Sequence, residues 1–398
     1  MEERGVRLAA PTHFPSLEGI RALAASLIVL YHAAALSSAG LTGADAGPPP
    51  RDLGGLAAVL DVGVAVFFVL SGFLIYRPFA RAHLDATPRR GVRTYLWRRA
   101  VRIFPAYWLA LTVLWAWGVI DLGTWSTAWR YYALVHIYDA HTVFSGIVQA
   151  WSLGTEVTFY LLVPVWAAAV RRVGGGGRRA LAAELAGVAV LVLAGYASRA
   201  AFSASGRIWA GQDVTMRAVS FTWLPNHVDL FALGMGLAVV SLATERGLLP
   251  ARWAMLAGRW PAAWWAAAVG LYVWYAWWIG PPPFREGYIG LNWQRRQLTY
   301  GLIGFCLLVP AVFGDQARGL LRRGLQWPPV VVVGVVSYGL YLWHNDLMKQ
   351  VPDWLDTPPG ATNLAALLAV GFGLGLACAA ASFYGLERPL GRLRRRRA

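Results

Sequence analysis

Apolar residues run along this chain in long blocks, not in the strict alternation of strands or the narrow stripes of surface helices. Ten blocks, each close to the ~20 residues a helix needs to cross a hydrocarbon core, occupy 17–36, 54–76, 103–120, 151–170, 180–200, 219–243, 261–280, 298–314, 330–349 and 362–384. Short polar breaks separate them and leave no stretch for a soluble domain. The pattern predicts an all-α polytopic integral membrane protein: a bundle of about ten transmembrane helices forming one domain over 1–398. A shorter apolar patch, Tyr131 to Ile137, is expected to lie in the interface.

Composition agrees with the pattern. Hydrophobic residues make up 57% of the 398 residues and charged residues 14%, and the mean hydropathy is +0.47. An ordinary soluble globule is excluded.

Charge adds an orientation. With the N-terminus in the cytoplasm, the alternate loops and both tails on that side hold 26 of the 36 Lys and Arg. The other side holds nine, and Arg21 lies within the first block. That asymmetry follows the positive-inside rule, so both termini are expected in the cytoplasm and the protein in the plasma membrane. The densest loop, Arg77 to Arg102, carries eight Arg against one acid, Asp85; the C-terminal "RLRRRRA" is a second basic cluster. Topology and attraction to anionic lipid account for the net charge of +16, so no nucleic-acid partner is expected. The first block is too long and too interrupted by charge for a cleaved signal peptide. Cys306 and Cys378 sit at different depths inside apolar blocks, and neither a disulfide nor a metal site is expected.

What the blocks should not contain is more informative. In "FPSLEGIRALAASLIVLYHAAAL", Arg21 and His32 stand eleven positions apart, close to three turns, so they share a face; Glu18 lies three residues before Arg21 and can pair with it. Ionisable groups at such depth face a bundle interior or a watery cavity and mark a pathway or reaction centre. The plainer reading is that Glu18 and Arg21 neutralise each other while His32 bonds a neighbouring helix. Ser152, Glu156 and Tyr160 form one stripe in "WSLGTEVTFYLLVPVW", and Ser337, Tyr341 and His344 another in "SYGLYLWHNDLM". Most of the Trp and Tyr fit an interfacial belt; Glu156 and His32 do not. Arg98 and Arg102, one turn apart with Arg99 between them, stand just before Pro105. Such a cluster suits a polyphosphate, since guanidinium forks pair with phosphate oxygens, although snorkelling to headgroups explains most arginines in this loop. On the far side, His136, Asp139, His141, Arg207 and Asp213 lie in loops, with Asn226, His227 and Asp229 in the sixth block. Any of these could meet a sugar hydroxyl, and none is singled out.

Taken in order, "LEGIRALAASLIVLYHA", "GVAVFFVLSGFLIY", "RRAVRIFPAYWLAL", "WSLGTEVTFYLL", "FALGMGLA", "SYGLYLWH" and "LERPL" resemble the membrane-bound acyltransferase 3 family, whose members O-acylate polysaccharides, lipopolysaccharide, nodulation signals and macrolides. The resemblance covers almost the whole chain. It implies that Arg21 and His32 are required for activity, that Arg99 and Arg102 with Pro105 receive a cytoplasmic acyl-CoA, and that Trp151, Ser152, Glu156, Ser337, Tyr338, Tyr341 and His344 belong to the site. Glu18 stands where the family usually has Asp, and Ala65 where a polar residue is frequent.

The chemistry expected on that basis is transfer of an acyl group, acetyl above all, from acyl-CoA to a hydroxyl of a carbohydrate or glycosylated small molecule. His32 serves as general base and Glu156 as the second catalytic residue. Arg21, Arg98, Arg99 and Arg102 take the donor; Ser152, Ser337, Tyr341 and His344 hold substrate. No permanently bound cofactor or metal is expected, and the remaining partner is membrane lipid, with self-association compatible. A transporter of a glycan or metabolite would also suit ten spans with buried charge, but it predicts two related halves, and the sequence shows no such symmetry. A sensor or scaffold would leave His32 unexplained.

Overall fold

A computed structural model describes residues 14–37, 52–88, 91–208, 219–280, 290–358 and 362–391. Among the described residues every regular element is helical. Each of the ten apolar blocks falls on a helix: α1 (Ser16–Leu36), α3 (Val62–Leu84), α4 (Val92–Ala116), α6 (Trp151–Arg171), α7 (Gly177–Ile208), α8 (Val228–Glu245), α10 (Pro261–Trp274), α11 (Gly290–Val312), α13 (Pro328–Met348) and α15 (Leu364–Gly391). Shorter helices join them: α2 (Leu53–Ala57), α5 (Trp125–Tyr132), α9 (Ala251–Arg259), α12 (Leu320–Leu325) and α14 (Val351–Leu355).

Among the described residues, six helices are long and apolar enough to cross a membrane unaided: α1, the α2–α3 stretch Leu53–Leu84, α6 from Val148, α7, α8 and α15. The other four diverge for visible reasons. α4 opens on Arg93, Arg98, Arg99 and Arg102, α10 is only 14 residues long, α11 carries Gln294, Arg295, Arg296 and Gln297, and α13 ends in His344, Asn345 and Asp346.

Local chemistry sets the ends. Asp52 accepts from the backbone N–H of Gly54 (2.8 Å) and Gly55 (3.1 Å), capping α2, so the second apolar stretch opens at Leu53, beside the predicted 54, and passes through a turn at 58–61 before α3. The sixth block likewise begins in a turn, Leu224–Asn226, and its helix starts at Val228. Pro261 and Pro328 open α10 and α13 at the position where a missing N–H is harmless. Asn363 caps α15 through the N–H of Ala365 (2.7 Å).

Two tight helix pairs organise the bundle, α3 against α8 and α1 against α13. Glycine permits both. A Cβ on Gly72 would overlap the carbonyl of Phe231, and one on Gly234 the carbonyl of Val69; a Cβ on Gly334 would overlap the carbonyl of Glu18. Small residues let helices approach to backbone contact, which supplies dispersion where lipid offers no hydrophobic drive. The α1–α13 contact matters most, because each helix carries a histidine.

Several buried polar groups pair across helices. Arg199, fully buried, grips both carboxylate oxygens of Asp229 (2.9 and 2.8 Å) and ties α7 to α8. Glu184 accepts from Tyr76 (2.6 Å) and faces His83 Nδ1 (2.7 Å), whose Nε2 reaches the Gly174 carbonyl (2.8 Å), tying α3 to α7. Beyond the helix ends, Arg246 holds Asp85 (Nη2 to Oδ2, 2.6 Å) and keeps that carboxyl below its usual range.

Candidate active site

α1 and α13 pack so that His32 and His344 meet, Nδ1 to Nε2, at 2.9 Å. The partners on the far ring decide the tautomers. His344 Nδ1 lies 2.9 Å from the Leu340 carbonyl, which can only accept, so Nδ1 carries the proton. The rest of the His344 ring is fully buried, and none of the described hydrogen bonds or ion pairs brings a carboxylate to either ring, so a neutral His344 offers a lone pair at Nε2. His32 must therefore donate from Nδ1. In that tautomer Nε2 carries the lone pair; the ring, which also hydrogen-bonds the Ile28 backbone, is half-buried and lines a cavity.

That cavity, of about 310 Å³, lies at the end of the bundle where α1 finishes. Its polar wall is Asp61, Gln149, Arg296 and Gln297, with Trp151 and Phe221 as aromatic faces. Asp61 is fixed by Tyr300 (2.6 Å) and by an ion pair with Arg296. His227 also lines it, but both its nitrogens are committed, Nε2 to the Phe221 carbonyl (2.6 Å) and Nδ1 to Gln297 (2.9 Å). No base is left there.

A second cavity, of about 110 Å³, lies toward the start of α1 and α4. Arg21, Arg99, Arg102, Ser152, Glu156, Ser337 and Tyr341 all reach its wall. Arg21 pairs with Glu18 (3.3 Å) as the spacing predicts. Glu156 accepts from Ser71, a residue of α3. Ser337 Oγ and Arg99 Nε are buried with no hydrogen-bond partner among the described residues. Unsatisfied buried donors are rare and call for an explanation; here both belong to residues on the wall of this cavity.

Val64, Phe68 and Tyr341 line both cavities and form the partition, or neck, that separates them. Phe68 is held by stacking on Phe231, with ring centroids 4.6 Å apart. Tyr341 donates to the Gln149 carbonyl (2.7 Å) and stands 2.7 Å from Ser152 Oγ. With the tyrosine proton committed, the serine hydroxyl donates to the tyrosine oxygen, and the pair shapes the neck more than it offers protons to a ligand. Gln149 anchors this region to α13 through Asp346 (3.2 Å) and Asn345 (3.1 Å).

The sequence-predicted residues thus converge, with two exceptions. Arg98 does not reach either cavity wall, and His344 stands behind His32 instead of beside a substrate. Of the loop residues, Asp139 accepts from Arg130, and burial pushes His136 down to about 4 in a stack on Tyr131. Asn226 is committed to Ser198 (2.7 Å) and the Ser220 carbonyl (2.7 Å), and Asp229 to Arg199. The side chain of Arg207, Asp213 and the basic tail after Gly391 lie outside the described residues.

The model of a family described as an acyltransferase domain, acyltransferase 3, matches residues 14–383. The chain belongs to that family. It is 29% identical over 350 residues to the "Exopolysaccharide production protein ExoZ" of Rhizobium meliloti (strain 1021), covering 84% of this chain and 90% of that protein. It is 24% identical over 355 residues to the "Putative peptidoglycan O-acetyltransferase YrhL" of Bacillus subtilis (strain 168). There the match covers 83% of this chain but only 48% of the relative, so the chain spans about half of that protein. It is 25% identical over 332 residues to "Acyltransferase MdmB" of Streptomyces mycarofaciens, covering 77% and 76%. No solved structure matches the chain.

The residues that sequence reasoning passed over are Asp61, Ser71, Gln149, Arg296 and Asp346. Only Asp346 had a visible signal, two places after His344 in "HNDLM".

Proposed function

We propose that this protein is an integral membrane O-acyltransferase that moves an acyl group, acetyl in the simplest case, from acyl-CoA to a hydroxyl of a carbohydrate or glycosylated small molecule. One observation carries the reading: a cavity lined by arginines and a cavity lined by a histidine lone pair share the wall formed by Val64, Phe68 and Tyr341. The names of the relatives, which include an exopolysaccharide production protein and an acyltransferase, support the chemistry.

In this reading the coenzyme phosphates bind Arg99 and Arg102 at the open side of the smaller cavity, with Arg98 contributing only long-range attraction. The thioester extends past Arg21 to the neck. The acceptor occupies the larger cavity, where Asp61, Arg296 and Gln297 can hydrogen-bond hydroxyls and Trp151 and Phe221 offer flat faces to sugar rings. His32 Nε2 takes the hydroxyl proton as the oxygen attacks the thioester carbonyl. The tetrahedral intermediate collapses, the C–S bond breaks, and the imidazolium returns its proton to the departing thiolate. Ser337, with its hydroxyl unspent, supplies a donor to the developing oxyanion, and Arg21 adds positive charge nearby. Glu156, held by Ser71, balances the arginines and orients them. His344 acts through His32 as a positioning residue. Ten spans with both termini in the cytoplasm would put Arg99 and Arg102 on the side where acyl-CoA is made, in the plasma membrane.

The test uses protein reconstituted in one orientation in sealed vesicles, with labelled acetyl-CoA on the Arg99 side and carbohydrate acceptors on either side. Labelled ester on the sugar is the expected result. Sugar crossing the membrane without esterification would identify a transporter instead.

A further inference from the structure

The cavity at His32 adjoins a second hollow. A groove of about 480 Å³ runs between residues 119–123, residues 141–148 and the end of α13. Phe144 and Val148 line both the groove and the His32 cavity, so the two hollows meet at those side chains. They also share a foundation. Lys349, on the groove, donates to the fully buried Asp346 (2.8 Å), and Gln149, on the cavity, donates to the same carboxylate (3.2 Å). A ligand lying in the groove therefore rests on the network that sets the neck and carries the helix of His344.

The groove's chemistry narrows its occupant. Asp121, Ser145, His141 and Lys349 put acceptors and donors of both signs along it, and the half-buried Phe144 ring contributes an apolar face. A lipid tail would require an uninterrupted apolar wall. A polyanion would require a run of cations, whereas here one lysine and one histidine are offset by an aspartate. Polar partners of both signs beside one aromatic face suit a neutral, polyhydroxylated ring.

We infer that this groove is a second acceptor subsite, holding the unit next to the one acylated at His32. The acceptor is then an extended oligosaccharide of at least two rings, and it reaches His32 from the end of the bundle opposite Arg99 and Arg102. This rests on the acyl-transfer reading for the identity of the first subsite; the wall that the groove shares with the cavity does not.

The experiment measures binding and transfer separately, on the full chain in nanodiscs, with neutral gluco-, galacto- and manno-oligosaccharides of one to four rings. His141→Trp and Ser145→Trp each place a bulky ring in the groove, and neither residue is part of the catalytic or donor-binding machinery. Expected is a gain of about tenfold or more in affinity from one ring to two in at least one series, the size of a good added contact. Both tryptophan variants should lose that gain while keeping one-ring affinity. Equal affinity for one and several rings, a gain that survives both variants, or no binding by any member of the array would overturn the subsite. Length-dependent binding without acetyl transfer would remove the acyltransferase reading and leave the groove. Transfer without length dependence would do the reverse. Loss of one-ring binding in one variant marks local damage, and the other variant then decides.

Discussion

His32 Nδ1 lies 2.9 Å from His344 Nε2, and the Leu340 carbonyl on the other side of the second ring makes His344 the acceptor. The consequence is a free Nε2 on His32 at the cavity. Replacing His344 by Phe removes the acceptor and lets the wrong tautomer of His32 form. Turnover should fall by about 10²-fold, the scale set by mis-oriented general bases, with KM for acyl-CoA unchanged. His344→Gln, whose amide oxygen can accept, should recover part of the loss. A variant that is merely misfolded would lose coenzyme binding as well.

Arg99 and Arg102 reach the smaller cavity, whereas Arg98 does not. Removing a charge-assisted contact to phosphate costs about 1.5–3 kcal/mol. Arg99→Ala and Arg102→Ala should therefore raise KM for acyl-CoA by roughly 10- to 100-fold, leaving KM for the acceptor in place. Arg98→Ala should change either value far less. Steady-state kinetics with each substrate varied in turn checks all three.

Ser337 Oγ is buried without a partner among the described residues. Ser337→Ala therefore removes no hydrogen bond from the resting protein, and thermal stability should hold. If the hydroxyl meets the oxyanion, kcat should fall by about 10²–10³-fold. A drop in melting temperature with unchanged kcat would reassign Ser337 to packing.

Arg199 and Asp229 form a bidentate pair in the bundle interior. Asp229→Ala leaves a buried guanidinium without its counter-charge, and the expected destabilisation is about 3–5 kcal/mol. Thermal unfolding in detergent reads it directly. Because neither residue lines a cavity described above, whatever fraction stays folded should keep the parent's KM values.

Much of this site is legible in the chain because helical periodicity puts residues on one face. Arg21 with His32, Ser152 with Glu156, and Ser337 with Tyr341 were expected as stripes, and each reaches a cavity wall. Periodicity does not say which helix a stripe will meet. Spacing puts His344 on a substrate-facing stripe with Tyr341, yet the close α1–α13 packing brings it against His32. Arg98 and Arg99 differ by one position and about 100° of rotation on α4, enough to turn one charge away from the cavity and the other onto its wall. Ser71 and Asp61 gave no signal, because each gains its meaning from a partner far along the chain, Glu156 and Arg296. The helix of the sixth block starts later than expected, at Val228, because apolar sequence continues through the turn at Leu224–Asn226.

The catalytic role of the His32 lone pair is tested most directly by His32→Ala in nanodiscs, with labelled acetyl-CoA, an oligosaccharide acceptor and a parallel measurement of acetyl-CoA binding. With the base gone and the arginines intact, coenzyme binding should persist while kcat falls by at least about 10²-fold. Acyl transfer by His32→Ala at the parent's rate would contradict the account.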